Sequence, residues 1–186
     1  MGFGLNIGKN MCEFCTNAEK VGNTNLKISF VDLSYSETGK TILKGLQDEE
    51  HQDLDLSKCN FKDSEFQYMS ECKFLGALHK LNLSGNYFGS DGILMFALNN
   101  YMVNLQELNL SSNKIEDAGL KEFINCKFLH NLEKLELQNN RIHPRGIRHF
   151  SECEFLSNLK YLDLSDNQIW SLGVKYLIDC KFLSNL

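Results

Sequence analysis

No stretch of these 186 residues approaches the roughly 20 consecutive apolar positions that a membrane-spanning helix requires. The opening residues, Met1 to Asn10, lack both the basic start and the apolar core of a secretory leader. Gly2 is not part of a myristoylation signal, because Asn6 stands where Ser or Thr is needed. Positive charge is scarce as well: 19 Lys and Arg against 24 Asp and Glu leave a net charge of −5, which argues against a general binder of nucleic acid or anionic membranes. Neither GxxxxGK[ST] nor GxGxxG occurs, so the common glycine-rich cradles for phosphate are missing. No nucleophile, base and orienting acid stand in a recognisable arrangement. The chain therefore reads as non-enzymatic, with no catalytic residue, no cofactor and no metal.

Paired cysteine spacing is also lacking. The chain has seven cysteines, an odd number, and most fall at repeat-fixed positions instead of in the pairs of a small secreted scaffold. Cys12 and Cys15 form a CxxC half-site, yet no second CxxC or His pair follows at zinc-ligand spacing. Free buried thiols in a reducing cytoplasm are the simpler reading. On a secreted chain, Asn82-Leu83-Ser84 and Asn109-Leu110-Ser111 would be glycosylation acceptors that obstruct the strand face, which again favours a cytoplasmic home. With 42% hydrophobic and 23% charged residues, the balance is that of a folded chain, and 186 residues suffice for a short repeat array.

What is present is repetition. Segments of 27 residues recur without slippage from Leu78 to Asn104, Leu105 to Asn131, Leu132 to Asn158 and Leu159 to Asn185, and Leu186 opens another. Each begins LxxLxLxxN, as in Leu105, Leu108, Leu110 and Asn113. His51 to Ala77 is a further copy in which Cys59 replaces the asparagine, and Ile28 to Glu50 reads as a shortened copy through Val31-Asp32-Leu33-Ser34. Within a copy, Leu-x-Leu has the period of a strand, so Leu135 and Leu137 point inward and Glu136 faces out. A glycine (Gly92, Gly119, Gly146, Gly173) then opens an apolar pattern at helical spacing, such as Leu120, Phe123 and Cys126. Phe-Leu pairs, Phe128-Leu129 for one, return the chain to the next strand. No single copy can bury these groups alone, so neighbours must stack.

The LxxLxLxxN copies resemble the leucine-rich-repeat family over about residues 28 to 186, with residues 1–27 as an N-terminal cap or degenerate repeat. The resemblance implies an α/β fold: a right-handed solenoid with a concave parallel sheet and convex helices, its repeats at about 28–50, 51–77, 78–104, 105–131, 132–158 and 159–185. The 27-residue length and the cysteines Cys72, Cys126, Cys153 and Cys180 are similar to the ribonuclease-inhibitor-like, cysteine-containing subclass, which is largely intracellular. It also implies a structural role for Asn86, Asn113, Asn140 and Asn167, whose amides would bond the backbone of adjacent turns.

The expected function is recognition of another protein through the concave face and the rim loops. The residues between the strand leucines, Asp32, Asp55, Asn82, Asn109, Glu136 and Asp163, would stack about 4.8 Å apart in an acidic or neutral column. Asp53, Glu107, Tyr161 and Asp166 would flank it, offset by Lys80 and Lys134, and Tyr87 and Trp170 would anchor a partner at the rim. Such a face suits a partner with a basic surface. An alternative site is a basic patch of Arg141, His143, Arg145 and Arg148, with His149, suited to phosphate or an acidic partner. Two other functions fit the same architecture. One is a GTPase-activating protein resembling the Ran activator, although the acidic tail of that family is missing here. The other is the sensing part of a larger receptor or ubiquitin-ligase adaptor. The strict period at the C-terminal end reads as a fragment of a longer repeat protein, or as an open end that docks on another subunit. Leu162, Leu164, Leu177, Phe182 and Leu183 would lie uncovered there and promote self-association.

Overall fold

The structure is a computed structural model and describes residues 17–20, 25–29, 52–64 and 73–186. Cys12, Cys15, Asp32, Cys72 and most of the shortened copy at 28–50 lie outside the described residues.

Seven strands form one sheet in chain order: β1 (Asn17–Lys20), β2 (Asn25–Ser29), β3 (Asp53–Asp55), β4 (Lys80–Asn82), β5 (Glu107–Asn109), β6 (Lys134–Glu136) and β7 (Tyr161–Asp163). β1 pairs antiparallel with β2, and every later pairing is parallel. The register sets like on like: Leu54, Leu81, Leu108, Leu135 and Leu162 are consecutive partners. Among the described residues, helices α1 (Ser90–Ala97), α2 (Glu116–Phe123) and α3 (Pro144–Ile147) cross back between strands, and α4 (Trp170–Ile178) follows β7. Short 3₁₀ turns such as Lys127–Leu129 and Glu154–Asn158 close each repeat. The result is the expected α/β solenoid, with sheet on one side and helices on the other.

The first step of the sheet departs from the expected register. Lys27, and not Asp32, is paired with Asp55, because Leu26 pairs with Leu54. The shortened copy therefore has its strand several residues earlier than the Val31-Asp32-Leu33 reading placed it. The step from Leu26 to Leu54 is one residue longer than the 27 that separate later strands, so the strict period offered no guide there.

The core lies between sheet and helices and runs the length of the array. Leu56, Leu83, Leu110 and Leu137 are fully buried, as are Ile93, Phe96, Ile142 and Ile147. Phenylalanine rings link neighbouring repeats: Phe61 with Phe88 at 5.8 Å, Phe96 with Phe128 at 5.4 Å, and Phe123 with Phe155 at 6.1 Å. Cys59, Cys126, Cys153 and Cys180 are buried free thiols. Burial raises the Cys126 thiol well above its ordinary range and pushes that of Cys153 up to about 12, so both are packing groups.

Two asparagine ladders stitch the repeats. In the first, the Asn86 Oδ1 accepts from the N–H groups of Cys59 and Phe61 at 3.0 Å, while its Nδ2 donates to Leu56 and Leu83 carbonyls. Asn113, Asn140 and Asn167 repeat the arrangement one turn further on each time. The second ladder closes the repeats on the other side. Asn104, Asn131, Asn158 and Asn185 each donate Nδ2 to a carbonyl 28 residues earlier, at 2.8, 2.9, 2.8 and 2.6 Å. Directly before each member of the first ladder, the backbone turns left-handed: Gly85, Ser112, Asn139 and Asp166 have φ of 66°, 55°, 51° and 56°. Only one of the four is glycine, so three bear the cost of a Cβ in that region.

At the entry to the helix the repeats alternate. Glu116 and Trp170 are left-handed, with φ of 58° and 48°. The equivalent Gly89 and His143 are extended, and their N–H groups are held at 2.8 and 2.7 Å by Oδ1 of Asp63 and Asp117 in the preceding repeat. The helix glycines follow suit. A Cβ on Gly92 or Gly146 would strike those same aspartates, whereas on Gly119 or Gly173 it would strike Ile115 or Ile169.

Leu183, expected to lie uncovered, is buried: its 3₁₀ turn, Lys181–Leu183, packs back onto the preceding turn Glu154–Asn158. Leu162, Leu164, Leu177 and Phe182 are half-buried, and the most open apolar groups of the last repeat are instead Trp170, Leu172, Val174 and Ile178. Among the described residues, no helix is long and apolar enough to cross a membrane.

Candidate functional site on the sheet face

The short strands leave two outward columns, because the leucine between them turns inward. One is Asp55, Asn82, Asn109, Glu136 and Asp163, in adjacent register and half-buried. The other is Asp53, Lys80, Glu107, Lys134 and Tyr161.

The first column has a local task that its sequence position did not reveal. Oδ1 of Asp55, Asn82, Asn109 and Asp163 each accepts from the backbone N–H two residues on, at 2.9, 3.0, 2.9 and 2.9 Å. These side chains close the turn that leaves the strand, which is why Asp or Asn occupies the position. Glu136 breaks the rule, since its longer carboxylate bonds Lys134 at 3.3 Å.

The second column makes side-chain contacts only. Lys80 Nζ lies 2.9 Å from Glu107, and this hydrogen bond raises the lysine above its ordinary value. Lys134 Nζ sits over the Tyr161 ring at 5.2 Å. The Tyr161 hydroxyl donates to Asp163 at 3.3 Å, and the carboxylates of Asp163 and Glu136 raise its pKa. Partial burial pushes the Asp163 carboxyl up, but hydrogen bonds from Ser165, Gln138 and Tyr161 together hold it below the usual carboxylate value. The neighbourhood of Tyr161 is thus negative and well supplied with donors.

The remaining expected residues lie at the rim. Asp166 is not on a strand: it sits three residues beyond β7, in the left-handed turn, because the residue before each ladder asparagine must turn there. Tyr87 is exposed beneath the Lys114 ammonium at 5.2 Å. Trp170 is 68% exposed and meets the His143 ring edge-on at 6.1 Å. The basic patch divides in two. Arg141 pairs with Glu116 at 3.7 Å, and His143 bonds Gln168 at 3.1 Å and lies 3.8 Å from Asp117, all at the rim. Arg145 and Arg148 line a groove on the helical side with Lys121 and His149. The chain enters α3 between them and so carries the two halves apart.

Stacked strand–helix repeats stitched by asparagine ladders define a leucine-rich solenoid. The sequence matches the family described as Leucine Rich repeat over residues 78–97, 101–123, 128–151 and 155–177, and the chain belongs to that family. No curated protein is similar in sequence. Among solved structures, the chain is similar to the Actin-Binding Site 2 domain of leiomodin-1, with a TM-score of 0.58 and 17% identity over 81% of this chain and 88% of that one. It is also similar to the tropomodulin C-terminal domain of Caenorhabditis elegans, with a TM-score of 0.56 and 12% identity over 81% and 92%. These likenesses lie in the fold.

Proposed function

We propose that the chain is a non-enzymatic protein-binding module of the cytoplasm, whose partner seats on the sheet face and on the rim near Tyr87 and Trp170. The observation that carries this reading is the second column. Its lysines, glutamate and tyrosine bond other side chains and spare the backbone, so a partner can exchange those contacts without loosening the fold. Acidic groups exceed lysines on the two columns together, which favours a partner with basic features and gives charge a hand in association rate and specificity. Exposed aromatics at the rim supply apolar anchors. A leiomodin domain of this fold is an actin-binding site, so actin is the first partner to assay.

The test is a double variant, Glu107→Lys with Tyr161→Ala, compared with wild type in actin co-sedimentation and in affinity capture read by mass spectrometry. Loss of capture by about tenfold or more is expected, with an unchanged melting temperature. Full retention of every captured partner would move the site off the sheet. A GTPase-activating protein resembling the Ran activator, or the sensing part of a larger receptor or ubiquitin-ligase adaptor, would use the same face. Phosphate release from a GTP-loaded small GTPase separates the first of these.

A further inference from the structure

We propose that the helical side carries a second site, a ladder of unpaired cations that binds an acidic polypeptide segment lying across the repeats. Lys121, Arg148 and Lys175 stand on consecutive repeats at intervals of 27 residues, on α2, just after α3, and on α4. Lys121 and Arg148, with Arg145, His149, Asp117 and Ala118, line a groove of about 480 Å³. Neighbouring helices are in contact along this side, so the rungs are adjacent.

The cations of this ladder have no acid to hold them. Lys121, Arg145, Arg148 and Lys175 are exposed, and none belongs to an ion pair among the described residues. Three acids of these repeats are already engaged. Asp117 Oδ1 accepts the His143 N–H at 2.7 Å, Glu116 pairs with Arg141, and Glu152 pairs with His149 at 3.1 Å. On the sheet face, by contrast, Lys80 and Lys134 each have a glutamate. In a chain of net charge −5, a run of solvated cations on successive repeats is a local reversal of sign.

The spacing selects the ligand. Packed helices lie about 8–10 Å apart, and a chain in the polyproline II conformation advances about 3.1 Å per residue with three residues per turn, so every third side chain faces the same way. About three residues therefore span one rung, and carboxylates at every third position would meet successive cations. A single phosphate would engage one rung only. A flat anionic bilayer would press equally on Glu152 and Asp179, which are exposed four residues beyond Arg148 and Lys175. A narrow acidic strand can lie along the ladder and avoid both.

The probe is a fluorescein-labelled peptide of about twelve residues repeating Glu-Ser-Ser, followed by fluorescence anisotropy with the full chain. An isomer with its glutamates contiguous serves as comparison. The expected results are tighter binding of the spaced peptide and weakening as salt rises to about 0.15 M. A loss of about tenfold is expected in Lys121→Glu with Arg148→Glu, and retention in Lys121→Arg. Melting curves of the exposed variants report that the fold is kept. Equal affinity of wild type and the doubly reversed variant would overturn the proposal. So would indifference to glutamate spacing, or binding to phosphatidylserine vesicles without binding to either peptide.

Discussion

Replacing Asn140 with leucine removes a fully buried amide that bonds backbone on two repeats. Its Nδ2 donates to the carbonyls of Leu110, Leu137 and Gln138 at 2.9, 3.1 and 3.1 Å, and its Oδ1 accepts the Ile115 N–H at 3.4 Å. The carbonyls do not all lose their only donor. Leu110 keeps Asn113, Leu137 keeps Asn167, and Gln138 keeps the Ser112 N–H. The Ile115 N–H has no such second partner among its described bonds, and an unsatisfied buried donor costs about 1–3 kcal/mol. Adding a fraction of a kcal/mol for each weakened carbonyl gives about 2–4 kcal/mol, well below the sum of four independent bonds. For a chain of this size each kcal/mol lowers the melting temperature by roughly 2–4 °C, so a fall of about 4–16 °C is expected by calorimetry. Asn140→Cys is the graded comparison. Cys59 already occupies the ladder position in its repeat and donates Sγ to the Ser57 carbonyl at 3.4 Å, so cysteine should retain one donor and cost less than leucine. A leucine variant melting within about 2 °C of wild type would refute the ladder as a source of stability.

Ser112→Gly should raise stability by about 0.5–1 kcal/mol, because φ is 55° there and Gly85 already serves at the equivalent turn; chemical denaturation measures the change. Asp163 has a folded pKa below its ordinary 3.8, so its contribution is present above that value and is lost as pH falls through the folded pKa. Acid unfolding followed by circular dichroism should therefore show a shallower dependence below about pH 5 in Asp163→Asn, which keeps the oxygen that accepts the Ser165 N–H. An identical acid limb in the two proteins would show that Asp163 does not contribute.

The solenoid was legible because its information is periodic. Leu-x-Leu and the following asparagine recur at 27 residues, and a pattern that strict leaves one way to bury every copy. The candidate site was legible only in outline. A polar residue between two inward leucines reads as solvent-facing, and it is, but whether it is available to a partner depends on a bond made two residues on. Asp55 and Asp163 are spent on that turn, whereas Tyr161 and Glu107 are not. The signal was present in the choice of Asp or Asn over Glu, since only the shorter side chain reaches its own i+2 N–H. Arg141 and Arg145 were grouped by closeness in sequence, which says nothing of the extended turn at His143 that parts them. The cations on the helical side recur once per repeat, so proximity along the chain gave no hint that Lys121 and Lys175 belong together.

The alternating entry to the helices makes parity a property of this array. From Gly89 to Trp170 like turns do not meet: each aspartate of the Asp63 and Asp117 kind faces an extended Gly89 or His143 in the following copy, and a left-handed turn, at Glu116 or Trp170, comes next. Excising one copy would bring two turns of the same hand side by side, with an aspartate left facing a backbone that does not present its N–H. Excising two would restore the original seam. Growth or loss of such an array by duplication is thus eased in even steps, and a designer splicing copies into it inherits the same even-numbered grammar.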